Sequence, residues 1–77
     1  MPDDELYRKE LAAWLNKALD TLAEDQRKVM VLREINGLSY SRIAEVTGVS
    51  IGTVMSRLHY ARKKVADLLA SWKVLED

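Results

Sequence analysis

Ser39–Val65 reads SYSRIAEVTGVSIGTVMSRLHYARKKV, and this stretch decides the fold. Within it Ala44, Gly48 and Val54 have the spacing Ala-x3-Gly-x5-Val. Two helices meeting at about 90–120° through a short turn need a small residue where they cross, and Ala44 supplies it. The turn needs a residue at ease with positive φ, and Gly48 supplies that. Val54 then anchors the second helix to the core. Ser39 and Ser50 stand at the two helix starts, where a hydroxyl accepts from an otherwise unpaired backbone N–H. The pattern predicts a short helix over 40–47 with Ile43, Ala44 and Val46 inward, a corner at Gly48, and a long helix over 51–71.

Upstream, a first helix is expected over 4–20, opened by Asp3 or Asp4. Its apolar stripe is Tyr7, Leu11, Trp14, Leu15 and Ala18, continued by Leu22; steps of three and four residues mark one face of an amphipathic helix. Thr21-Leu22-Ala23-Glu24 fits a capping box, with Thr21 accepting from the N–H of Glu24. A second helix over 24–35 follows, with Val29, Leu32 and Ile35 inward, and Asn36-Gly37 stops it. Pro2 and residues 73–77 read as frayed ends. No β-alternation or internal repeat is present. The fold class is therefore all-α: a small four-helix domain, read as one unit over 1–77, with a C-terminal helix-turn-helix and a long last helix.

Composition agrees. With 77 residues, 48% hydrophobic and 31% charged, the chain has the length of one domain and the balance of a globular one. No apolar run approaches the roughly 20 residues of a membrane span, and the N-terminus lacks a signal-peptide pattern. Cysteine is absent, which excludes disulfides and thiolate chemistry and is compatible with a reducing cytoplasm. No nucleophile–base pair, metal cluster or glycine-rich phosphate loop is present, so neither an enzyme nor a cofactor is expected.

The formal charge is zero, yet it is unevenly spread. Residues 1–25 carry seven acids against three bases, whereas residues 26–64 carry eight bases against two acids. A neutral chain with a basic middle can present one positive face. Projected at about 100° per residue, the last helix puts Val54, Leu58, Ala61, Val65, Leu68 and Trp72 on one side. Gly52, Ser56, His59, Tyr60 and Lys63 fall on the other. Met55 and Arg62 flank the apolar stripe on one edge, Arg57 and Lys64 on the other. A cationic run on an exposed helix is ordinarily just a solvated face. Here the helix-turn-helix spacing favours a helix that lies in the DNA major groove, with hydrogen-bonding groups for base edges and cations for phosphates. Gly52 permits close backbone approach to a phosphate near the helix N-terminus.

Over Leu22–Leu69 the chain strongly resembles region 4 of bacterial sigma factors, especially the extracytoplasmic-function group. The resemblance is carried by Leu22, Gln26-Arg27, Leu32-Arg33-Glu34, Gly37-Leu38-Ser39-Tyr40, Ile43-Ala44-Glu45, Gly52-Thr53-Val54, Ser56-Arg57-Leu58 and Ala61-Arg62. It implies recognition of the promoter −35 element in double-stranded DNA, and docking on the flap of the RNA polymerase β subunit or on an anti-sigma factor. It also implies a cytoplasmic location. By the same resemblance, Met55, Ser56, His59 and Tyr60 match the base-reading positions. Arg33, Ser39 and Tyr40 match DNA-backbone positions, joined by Arg42, Gly52, Thr53, Arg57, Arg62 and Lys63.

Several positions depart from the family pattern. Position 55 is usually Lys or Arg, and position 60 often Arg. Met55 offers only apolar contact, for instance to a thymine methyl, and Tyr60 offers stacking or one hydroxyl, so bidentate guanine recognition is not expected at either. Ser50 replaces a common proline, and Ser41-Arg42 replaces an acidic pair. A −35 sequence different from the family's commonest ones is the expectation. The alternatives are the DNA-binding output domain of a LuxR-type regulator, or a pure protein-interaction module built on the first two helices. The family's promoter-melting region has no counterpart here. The isolated chain is therefore expected to bind promoter DNA weakly, with tethering in the holoenzyme raising its effective concentration.

Overall fold

The computed structural model describes the backbone of residues 2–72 and the side chains of residues 4–72. The expectation for 73–77 as a frayed end lies outside the described residues. Four α-helices follow one another: α1 Pro2–Asp20, α2 Glu24–Met30, α3 Tyr40–Thr47 and α4 Ile51–Ser71, with a single π-helical turn Val31–Ile35 continuing α2. Because α1 begins at Pro2, that residue is helical rather than a frayed end, and Asp3 and Asp4 both lie in the first turn, so neither caps the helix. The acids still suit the positive end of the helix dipole.

Two apolar clusters hold these helices together. Val29, Ile43, Val54 and Leu58 are fully buried where α2, α3 and α4 meet, with Leu32, Leu38, Tyr40, Ala44 and Val49 packed around them. Ala18, Leu22, Ala61, Val65 and Leu69 form a second cluster between α1 and the rear of α4, bordered by Trp14, Leu19, Met30, Leu68 and Trp72. At its edge the Trp14 and Trp72 rings lie 5.2 Å apart, and the Lys17 ammonium stands 5.1 Å from each centroid. The inward stripe of α4 is as expected, with Leu69 added. The inward stripe of α1 holds only towards its C-terminal end, since Tyr7 is 57% exposed and Leu15 37%.

Local chemistry explains the corners. Ser39 Oγ accepts from the N–H of Arg42 at 3.1 Å, and Ser50 Oγ accepts from the N–H of Thr53 at 3.1 Å. Gly48 has φ +73° and donates to the Ala44 carbonyl at 2.9 Å, closing α3 in the left-handed conformation that glycine tolerates. Gly37, with φ +72°, does the same after the π turn.

Three expectations are corrected. Thr21 does not cap α2. Its Oγ1 donates to the Ala18 carbonyl at 2.6 Å, finishing α1, and Ala23 takes the cap position without a side-chain bond. The Ala18 carbonyl, which also accepts the Thr21 N–H at 3.1 Å, takes both donors of this residue and closes the end of α1. Ile35 is 66% exposed, not inward. The Asn36 N–H reaches back five residues to Val31, and the Leu38 N–H six residues to Leu32. That extra residue relative to an α-turn rotates positions after Leu32 off the buried stripe. Val46 is 52% exposed: α3 has eight residues, and Ile43 alone among them is fully buried.

Candidate nucleic-acid interface

The corner at Gly48 sends α4 away from α3, and burial of Val54, Leu58, Ala61 and Val65 fixes which side of α4 faces out. Met55, Ser56, His59, Tyr60 and Lys63 are all exposed, with Met55 at 51% and Tyr60 at 60%. The His59 and Tyr60 rings meet edge to face at 5.3 Å, which gives two neighbouring outward side chains a common arrangement. Between the start of α3 and this face lies a shallow concavity lined by Tyr40, Met55, Leu58, His59, Arg62 and Lys63. From Ile51 to Ala66 the helix has no Asp or Glu. Its first turn also ends in free backbone N–H groups, of which Ser50 satisfies one.

Gly52 lies in that first turn. A Cβ built there meets only Ser50 Oγ, at 3.8 Å, and its φ is not positive. Nothing within the fold requires a glycine at this place. Thr53 is half-buried and its Oγ1 accepts from Ser50 Oγ at 3.0 Å, so the hydroxyls of both residues are engaged in the cap.

The arginines expected to face phosphates are tied within the chain. Arg33 Nη1 donates to the Leu38 carbonyl at 2.9 Å while its guanidinium stacks on Tyr40, 4.6 Å from the ring centroid. It braces the loop that delivers Ser39 and Tyr40 to the start of α3. Arg62 Nε donates to Glu34 Oε1 at 2.7 Å, and Nη2 converges on the same oxygen. That hydrogen bond, with a smaller contribution from Tyr40, holds the Arg62 pKa above its ordinary value against the opposing effect of partial burial. Arg57 Nε lies 3.4 Å from Asp25, joining α4 to α2, and Arg42 pairs with Glu45 at 2.8 Å. Arg42 and Glu45 are both well exposed, so this pair is weak and open to exchange with an incoming phosphate. Among the described residues Lys63 and Lys64 have no carboxylate within ion-pair distance.

The structure therefore brings Met55, His59 and Lys63 together with Tyr40 and Arg62, while Ser56 and Tyr60 are exposed on α4 but do not line that concavity. Arg33 and Arg57 stand apart from that concavity as bracing residues. Two partners had no signal in the sequence reading: Glu34, which lies 28 positions before Arg62, and Asp25, which holds Arg57. Both are ordinary surface acids until the π turn and the packing of α2 on α4 place them.

A sharp glycine corner, two serine caps and an outward polar flank on the longer helix define a helical domain of the helix-turn-helix class. Comparison with known families is narrower: the model described as sigma-70, region 4 matches residues 12–65, and the chain belongs to that family. The chain is 42% identical over 69 residues to the ECF RNA polymerase sigma factor SigE of Mycolicibacterium smegmatis, covering 90% of this chain and 27% of that protein. It is 39% identical over 64 residues to the RNA polymerase sigma-H factor of Pseudomonas aeruginosa, covering 83% and 33%. To the ECF RNA polymerase sigma-E factor of Haemophilus influenzae it is 38% identical over 64 residues, covering 83% and 34%. The chain thus spans about a third or less of the length of these relatives. A LuxR-type output domain is not favoured by the match.

Proposed function

We propose that the chain is the promoter-reading module of an ECF RNA polymerase sigma factor, non-enzymatic and cytoplasmic, which recognises the −35 element during transcription initiation. The observation that carries this reading is the outward flank of α4, Met55, Ser56, His59, Tyr60 and Lys63, in a chain whose residues 12–65 match sigma-70 region 4. In this reading α4 enters the major groove from its N-terminal end. Met55, Ser56, His59 and Tyr60 meet base edges. The backbone near Gly52, the Ser39–Tyr40 pair, Arg42 and Lys63 meet phosphates, and Arg62 does so only where it exchanges Glu34 for one. Arg33 and Arg57 support those groups from behind.

A second surface supports contact with the polymerase core. Ala12, Leu15, Leu19, Met30, Ile35 and Val65 line an apolar groove of about 300 Å³ on the side that joins α1 to the π turn. The outward Ile35 belongs to this groove, which suits an amphipathic helix laid with its apolar side inward. The flap of the β subunit is the proposed occupant, and an anti-sigma factor would compete for the same place.

The test is selection of bound sequences from random DNA with the chain fused to a dimerising partner. A recovered motif whose base preference changes on Tyr60→Arg is the expected result, with binding that weakens steeply as salt rises. Recovery of no motif at all would remove the promoter-reading function.

A further inference from the structure

We infer that α4 reads thymine C5-methyl groups through an apolar lip formed by Ile51 together with Met55; the inference rests on the promoter-reading function proposed above. Ile51 is the first residue of α4 and is 44% exposed, and Met55, one turn on, is 51% exposed. Four residues of helix advance about 6 Å, so the two side chains stand side by side along the leading edge of the helix. Among the described residues, these two neighbouring apolar groups at the start of the longest helix pack into neither apolar cluster.

The surroundings commit the lip to one occupant. Ser56 and His59, exposed and polar, continue the same outward surface, and Met55 and His59 line one concavity with Arg62 and Lys63. No carboxylate occurs on α4 before Asp67. An apolar protein partner would have to bury these cations. A duplex welcomes them at its phosphates and offers in its major groove one apolar group, the methyl of thymine. Helix-turn-helix proteins contact base edges with the N-terminal residues of the second helix, where Ile51 and Met55 lie. A thioether and a branched alkyl chain present no donor to the guanine O6 and N7 acceptors, so the lip selects A·T pairs against G·C pairs by methyl contact. With about 3.4 Å of rise per base pair, thymines two base pairs apart fit the roughly 6 Å spacing of the two side chains.

Replacing thymine by deoxyuridine removes the methyl and nothing else. The 77-residue chain is titrated by fluorescence anisotropy at low salt against its selected duplex and the same duplex with deoxyuridine at each thymine in turn. A weakening of about three- to five-fold is expected at one or two positions, the size set by burial of one methyl-sized group. Ile51→Ser with Met55→Ser should abolish that difference, and Met55→Leu should keep it. Because both residues are exposed, circular dichroism of the variants should match the parent. Sequence-selective binding indifferent to deoxyuridine, or a difference that survives in the double variant, overturns the inference and leaves the promoter-reading function standing. Failure to prefer any duplex overturns that function and the lip with it.

Discussion

Replacing Gly52 by alanine should move stability and DNA affinity in opposite directions. Gly52 sits inside the first turn of α4 with no positive φ, and an added Cβ finds only Ser50 Oγ at 3.8 Å, an ordinary contact. Alanine therefore fits the native backbone and restricts the unfolded chain, a combination worth about 0.5–1 kcal/mol of stability. In a domain of this size that is a rise in Tm of roughly 2–8 °C, measurable by circular dichroism melting. The methyl group would stand between the start of α4 and a phosphate approaching its N–H groups, so affinity for duplex should fall several-fold across all sequences. Anisotropy titration of the same preparation reads this. A lower Tm would refute the account of the free space at Gly52. Unchanged affinity with a higher Tm would refute the close approach of a phosphate at this turn.

Other outcomes follow from the same contacts. Leu58→Ala removes a side chain buried where α2, α3 and α4 meet, and urea denaturation should show a loss of about 2–5 kcal/mol, enough to unfold much of so small a chain. Glu34→Gln removes the negative partner of Arg62; stability should change by less than about 1 kcal/mol because the pair is half-exposed, while duplex binding gains a cation and the slope of log K against log salt steepens by about 0.9. Lys63→Ala should weaken binding evenly across sequences and flatten that slope by about one. A slope unmoved by either substitution would place both residues away from the phosphates.

The helix-turn-helix was legible because its determinants are local. Ser39, Gly48 and Ser50 act within four residues of themselves, and the Val54–Leu58–Ala61–Val65 stripe repeats along one helix. What the sequence hid depends on longer range or on choice between equivalent partners. Thr21 had two backbone groups within reach and bonded the one behind it. The π turn is encoded by no glycine or proline, and its extra residue alone turned Ile35 from a core residue into the rim of a groove. The same turn places Glu34 against Arg62. In the candidate interface, the exposure of Met55, Ser56, His59 and Tyr60 could be read from helical projection. The ties of Arg33, Arg57 and Arg62 could not, because charge composition counts cations without saying which are already neutralised.

The central claim is that the outward flank of α4 lies in the major groove. The measurement closest to it is the change in backbone amide NMR shifts of the labelled chain on addition of its selected duplex. The claim predicts the largest changes at Gly52, Met55, Ser56, His59 and Lys63, with smaller ones at Ser39 and Tyr40 and none along the first two turns of α1. Changes concentrated on α1, with α4 silent, would contradict it.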